Sequence, residues 1–417
     1  MRKALFFMTI MVAFISISCN TKKQNTTNNT DKTFADFENT FLDAYWKQYP
    51  SASIFNGYGK YYDLLVIPDS ASFAGNVSFS KSWMDSLNKL GFEKLNDNNK
   101  ISFNIIKNQL ESDIWYTSVF IQQEWDASMY NISGTCDYIL NQNYAPLDER
   151  LKILNRRLQH TDAYFKAAFS TLKRPIKGLV ELSIIQNLGG LDIFGKALTD
   201  SIKISHLTGG AKDSLQQNAT KTIAAINGFV SALKAIVADK NYVFRDFRIG
   251  KKLYDEKFKY DLATDLNIEA VYKKASADKL VYHHKMFVLA DSIWPKYYPK
   301  QSKPKDSLQL VQMMLDKIQL KHVKPVEFFG AITRQVHELK KFIIEKNLFD
   351  FDTTTPPIIV RYMPAYARGF SSASADFSPP YQKQGATYYN IDDLTQYPAA
   401  KAESALKEDN IYASQIL

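Results

Sequence analysis

Apolar residues recur along most of this chain with a period near 3.6. Phe34, Phe37, Phe41 and Tyr45 fall three or four residues apart, and Phe103, Ile106, Leu110 and Ile114 repeat the spacing. Each set marks one buried face of an amphipathic helix. The longest stripe, Leu147, Leu151, Leu154, Leu158, Phe165, Phe169 and Leu172, predicts one continuous helix ending before Pro175. Leu215, Ala219, Ile223, Ile226, Val230, Leu233 and Val237 predict another, and further helices are expected over 267–293 (stopped by Pro295), 305–320 and 325–346. No segment repeats at a fixed period, which argues against a tandem-repeat solenoid.

The helical period disappears between Pro356 and Asp393. Five prolines crowd in, and two β-prone runs stand out, Ile358 to Tyr362 and Ala386 to Ile391. They predict two strands joined by a long loop, with Tyr388 and Asn390 on one side of the second strand and Tyr389 on the other. The expected fold is mainly α, a large helical body with a small β element near 357–391.

The N-terminus has a different character. Met1-Arg2-Lys3 precedes an apolar run from Ala4 to Ile17, too short to span a bilayer and of the length of an export signal. Residues 1–18 are therefore expected to be a signal peptide. Ser16-Ile17-Ser18-Cys19 resembles the lipobox of bacterial lipoproteins, with Ser16 where leucine is usual, and this makes Cys19 the lipidation site. Ordinary cleavage near Ser18, with Cys19 incidental, is the alternative. Asn20 to Lys32 contains no apolar residue, so residues 19–32 are expected to form a lipidated cysteine and a disordered tether. Two acyl chains suffice for stable anchoring. The partner implied is a membrane, the location is the cell envelope, and the folded domain is expected over 33–417.

Composition narrows the remaining possibilities. Among 417 residues, 45% are hydrophobic and 23% charged, which suits a globular body with a full core. The two cysteines cannot build a disulfide framework, and without Cys19 the lone Cys136 has no intrachain partner. Setting aside Arg2, Lys3, Lys22, Lys23, Lys32 and the opposing Asp31 lowers the formal charge from +9 to +5 for residues 33–417. Those charges are interleaved, as in Lys251-Lys252-Leu253-Tyr254-Asp255-Glu256-Lys257, rather than gathered in a stripe. Nucleic-acid binding is not expected.

Motifs with chemistry are sparse. No His-Glu-x-x-His places two imidazoles on one helical face. The nearest approach, His337-Glu338, has Lys341 where the second ligand would stand. His283 and His284 are adjacent and point about 100° apart on a helix. There is no Gly-rich phosphate loop and no Gly-x-Ser-x-Gly elbow, and no histidine lies near Cys136 in sequence to activate it. Asp255-Glu256 fits a solvated helix face better than an acid–base pair.

A family resemblance covers the body. Ile249-Gly250-Lys251-Lys252-Leu253-Tyr254-Asp255-Glu256-Lys257-Phe258 with Thr264-Asp265-Leu266-Asn267 resembles a stretch of the bacterial domain of unknown function 885. Tyr45-Trp46 to Pro50 with Gly57-Tyr58 is similar to its start. The run Pro357, Val360-Arg361-Tyr362-Met363-Pro364, Pro379-Pro380 and Thr387-Tyr388-Tyr389-Asn390 is similar to its later part.

The resemblance implies a helical, zincin-like metallopeptidase architecture. In a complete member a His-Glu pair followed by Pro-Gly-His would hold zinc on the helix after a segment like Glu403 to Leu417. This sequence stops short of that motif. It is therefore expected to be C-terminally incomplete, with no metal ligand, no catalytic residue and no cofactor of its own, zinc being expected only for a complete member. The 356–393 sheet would then expose an apolar face and an unpaired edge. The resemblance also puts Thr387-Tyr388-Tyr389-Asn390 at a cleft rim, where an extended peptide substrate could pair with the strand's edge. Tyr388 and Asn390 are expected to line that cleft, and Arg361 to orient an anionic group. Two functions compete: a lipid-anchored, peptidase-like hydrolase inactive as it stands, or a non-catalytic surface lipoprotein that captures peptides or glycans on its aromatic residues.

Overall fold

The predicted stripes form helices that bury them. A computed structural model describes residues 29–350, 356–382 and 385–412, with side chains described as far as Lys407. The expected export signal, Cys19 and residues 20–28 lie outside the described residues. The first helix, α1 (Asn29–Gln48), starts before the Thr33 boundary expected for the folded domain. Asp31 explains the early start. It sits in the helix's first turn, where a carboxylate suits the N-terminal dipole, and it is buried. Its Oδ1 accepts the Asn96 backbone N–H at 3.0 Å and Asn99 Nδ2 at 2.9 Å. Asn29 to Lys32 are thus helical and tied to a neighbour.

That neighbour is α4 (Asp97–Trp115), which packs with α1 and α3 (Ser70–Asn88) around Phe34, Phe41, Leu87, Phe103, Ile106 and Leu110. Trp83 meets Phe37 and Phe41 edge-on, with ring centroids at 5.5 and 5.3 Å. A short α2 (Pro50–Phe55) leads into the main body.

The main body comprises α5 (Ser133–Asn141), α6 (Leu147–Leu158), α7 (Thr161–Thr171), α8 (Lys177–Gly189), α9 (Leu198–Ile204) and α10 (Gly209–Ala238). α10 is long and apolar enough to cross a membrane, but here Leu215, Ala219, Ile226, Val230 and Leu233 form a core with α6, α7 and α8. The single helix expected over 147–172 is two. The break follows from Thr161, whose buried hydroxyl bonds the Leu158 carbonyl at 3.0 Å and Thr222 of α10 at 2.9 Å.

α11 (Gly250–Leu262) leans on α4. Glu256 accepts Trp115 Nε1, and Asp255 pairs with Lys251, so both acids are structural. α12 (Ile268–Tyr297) continues through Pro295 rather than stopping at it. Proline cannot donate to the carbonyl four residues back, and Lys303 Nζ instead reaches the Asp291 oxygen at 3.1 Å. α13 (Ser307–Gln319) packs on α12 around Trp294, Leu310 and Met314. His337 and Glu338 are exposed on α14 (Phe328–Glu345).

The β element has three strands rather than two. β1 (Ile358–Tyr362), β2 (Ala373–Asp376) and β3 (Thr387–Ile391) are ordered β1-β3-β2, with β3 parallel to β1 and antiparallel to β2. β3 is therefore the central strand, and the free edge expected at Thr387–Asn390 does not exist. Tyr389 and Ile391 point into a cluster with Phe328, Ile332 and Val336 of α14 and with Ala402 and Leu406 of α15 (Ala399–Tyr412). The sheet face expected to be bare is thus covered by two helices. His322 and Lys407 bond Glu403 of α15, at 3.1 and 3.3 Å, and hold its carboxyl below the usual range.

One half-buried carboxylate limits stability. Burial pushes Asp113 up to about 6 from 3.8, against the lowering effect of the Gln109 amide that donates to it and of the Tyr45 and Tyr49 hydroxyls. The native carboxyl therefore binds its proton more readily than the unfolded one. Stability from this group falls as pH rises from about 4 through about 6, and the full cost is present at neutral pH. Asp113→Asn should raise the melting temperature near pH 7.5, by on the order of 1 to 2 kcal/mol of stability, with the gain shrinking toward pH 4. A gain that does not change with pH contradicts the assignment.

Candidate functional site

The sheet's second face looks into a cavity of about 530 Å³ closed on the far side by the helical body. Alternation along β3 turns Tyr388 and Asn390 toward it, and the parallel register sets Arg361 of β1 directly across from Asn390. All three residues singled out in the sequence line this one cavity. β2 completes the face, with Ser374 opposite Asn390 and Asp376 opposite Tyr388.

These side chains form a connected polar network. Arg361 Nε donates to Asn390 Oδ1 at 2.7 Å, and its Nη2 donates to Asp376 Oδ2 at 2.8 Å. Asn390 Nδ2 donates to Ser374 Oγ and to Asp376 Oδ2, each at 3.0 Å. The Arg361 guanidinium also lies 4.0 Å from the centroid of the Tyr388 ring, a cation–π contact that fixes its plane. Asn390 is 2% exposed, so its carboxamide must be satisfied from within the protein, and it is.

The opposite wall comes from the end of α2, from α5 and from the short helical turn Ala365–Ala367. Tyr366 donates to Asp137 Oδ2 at 2.7 Å, and Asn131 Nδ2 donates to the Tyr366 carbonyl at 3.1 Å. Burial first, then the Asp137 charge, pushes the Tyr366 phenol far above its ordinary range and keeps it a proton donor. Tyr138 bonds Gln382 at 2.8 Å and holds the Pro379–Gln382 loop at the mouth. Two glycines allow the close fit. A Cβ on Gly189 would lie 2.3 Å from the Ala365 oxygen, and one on Gly57, at φ +77°, 2.7 Å from Pro379. Phe55 and Phe377 line the opening and are exposed.

The site therefore offers a cation, two carboxylates, a phenol and aromatic walls. Its acids are engaged, Asp376 by Arg361 and Asp137 by Tyr366, and its lining contains no imidazole. Among the described residues no three His, Cys, Asp or Glu side chains converge as metal ligands. The residues described do not fit a zinc ion. Cys136 is buried, and burial raises its thiol to about 11, which leaves it a poor nucleophile.

Several lining residues carried no sequence signal. Ser374 and Asp376 belong to a strand of small residues with weak β propensity. Asp137 and Tyr366 lie on elements far apart in the chain. The one available hint was the long span between the two β-prone runs, which leaves room for a strand between them.

Replacing Asn390 by alanine leaves Arg361 Nε and Ser374 Oγ without the partner it provides and removes one of the two bonds to Asp376, so Asn390→Ala should cost about 1–3 kcal/mol. Denaturant unfolding checks this, and a loss below about 0.5 kcal/mol would show the network to be dispensable.

Known proteins agree with this architecture. A family described as bacterial protein of unknown function (DUF885) matches residues 50–407. A solved structure from Shewanella oneidensis, of a protein provisionally assigned as a lipoprotein of unknown function, superposes with a TM-score of 0.74 at 33% identity. The match covers 92% of this chain and 69% of that one. A second, from Colwellia psychrerythraea and also provisionally assigned as a lipoprotein, superposes with a TM-score of 0.63 at 11% identity, covering 91% and 69%, a likeness of fold alone. No curated protein matches. With a family match across most of its length and a solved relative at one third identity, the chain belongs to DUF885.

Proposed function

We propose that this protein is a lipid-anchored envelope protein that binds an extended peptide in the cavity between its sheet and its helical body. The observation that carries the reading is the convergence of Arg361, Asn390 and Tyr388 on one cavity with a sheet edge beside it. With β3 paired on both sides, the edge available to a peptide in the cavity is that of β2, which contributes Ser374, Ala375 and Asp376 to the lining. A strand laid there would bring a side chain against Phe55 and Phe377. Its carboxylate would reach the part of the Arg361 fork that Asn390 and Asp376 leave free. Peptide holding is the shared first step of a capture protein and of a peptidase-like one, and the described residues support that step.

The test is calorimetry of the purified chain with short aromatic-containing peptides, in free-acid and C-terminal amide forms. The free acid should bind, the amide should bind at least tenfold more weakly, and Phe377→Ser should weaken both without moving the melting temperature. Equal binding of acid and amide removes Arg361 from the role. Binding of oligosaccharides but not peptides turns the assignment to glycan capture.

Anchoring rests on Cys19 together with the lipoprotein assignments of the two solved relatives. In bacterial cells, labelled fatty acid should be incorporated into the wild-type chain and not into Cys19→Ser, which should leave the membrane fraction. Equal labelling of both would end the lipidation proposal.

A further inference from the structure

A second pocket, of about 320 Å³, shares no lining residue with the sheet cavity. Its walls are Ile121, Trp125, Arg174 and Arg245, with Lys173 and Glu124 at the side. Lys173 and Glu124 neutralise each other as an ion pair. Arg174 and Arg245 have no hydrogen-bond acceptor for their guanidinium groups among the described residues, so the pocket holds two uncompensated positive charges.

Their segments are built rather than loosely apposed. The Lys173 N–H donates to the Glu124 carbonyl at 2.9 Å, the Ile176 N–H to that of Trp125 at 3.0 Å, and the Arg245 N–H to that of Pro175 at 3.1 Å. Three stretches distant in sequence are thus stitched edge to edge by backbone bonds. Trp125 is buried, with its indole N–H donating to the Phe120 carbonyl at 3.0 Å, and the Arg245 guanidinium stacks 5.0 Å from its ring centroid. Pro175 restricts the backbone of Arg174. Beside them Ile121 is held in the left-handed region at φ 46°, ψ 46°. A β-branched residue there is a strained outlier, of the kind concentrated at ligand-binding segments.

We propose that this pocket binds a phosphoryl anion between Arg174 and Arg245, either a soluble phosphate ester or the phosphate of an anionic phospholipid headgroup. Two guanidinium forks on separate segments suit a tetrahedral dianion, which can offer oxygens to both at once, better than a planar carboxylate that one fork saturates. The buried indole gives the bound group an apolar floor.

Inorganic phosphate is titrated into the unacylated chain by calorimetry at constant ionic strength, and the same chain is sedimented with phosphatidylcholine vesicles with and without phosphatidylglycerol. Arg174 is exposed, so Arg174→Ala should keep the wild-type melting temperature while losing at least tenfold in phosphate affinity. Loss of phosphatidylglycerol-dependent sedimentation in the same variant identifies a headgroup site. Phosphate binding without vesicle binding identifies a soluble ester. Absence of phosphate and vesicle binding in the wild type, or binding unchanged in both Arg174→Ala and Arg245→Ala, overturns the proposal.

Discussion

Fold and site meet at the buried carboxamide of Asn390. A carboxamide held away from water must find its partners inside the protein, and those of Asn390 come from both flanking strands: Arg361 on β1, Ser374 and Asp376 on β2. Those bonds form only in one register. A one-residue slip of β3 would turn Asn390 into the cluster occupied by Tyr389 and Ile391, and would send those apolar side chains into the cavity. The same contacts that select the register therefore position the cation, the carboxylate and the phenol ring of the candidate site.

The second half of the cavity depends on how closely the helical body approaches. Gly189 lets the Ala365–Ala367 turn rest against the end of α8, where a methyl group would collide with a carbonyl oxygen. That contact seats Tyr366 so that its phenol reaches Asp137 on α5. The cavity is thus an interface between a small sheet and a helical core, the kind of junction where ligand sites concentrate. Its shape depends on side chains that hold two parts together, Tyr366 with Asp137 and Tyr138 with Gln382.

Much of the helical body was legible because amphipathic periodicity follows directly from burial on one face. The inward positions of α1, α4 and α10 correspond to the stripes read from the sequence. Other features rest on interactions that a one-dimensional pattern does not carry. The break before Thr161 depends on a hydroxyl bonded to Thr222, 61 residues away, and the early start of α1 on Asp31 reaching Asn96, 65 residues away. β2 was hidden because alanine, serine and aspartate are poor strand formers, and only its pairing with β3 makes it a strand. Missing it left β3 at an edge it does not occupy. The inward side of β3, however, followed from simple alternation, and so Tyr388 and Asn390 were correctly expected to share a face.

Charge follows the same logic at the scale of the whole chain. A formal excess of basic residues spread evenly through the sequence gives no hint of a basic pocket, yet folding gathers Lys173, Arg174 and Arg245 from two separate stretches around one indole. Both pockets hold an arginine against an aromatic ring, Arg361 on Tyr388 and Arg245 on Trp125, but their local charge differs. Arg361 is offset by Asp376 in contact with it, so an incoming group meets a polarised surface rather than a bare cation. Such a surface is compatible with the peptide proposed above, whose backbone dipoles it can meet while the free part of the Arg361 fork takes a terminal carboxylate. Among the described residues Arg245 has no such counter-ion, and Arg174 adds to its charge. The local field there favours a ligand carrying its own compact negative charge. Two pockets built from the same residue pair thus differ in local charge according to whether the strand or loop opposite supplies that arginine with a carboxylate.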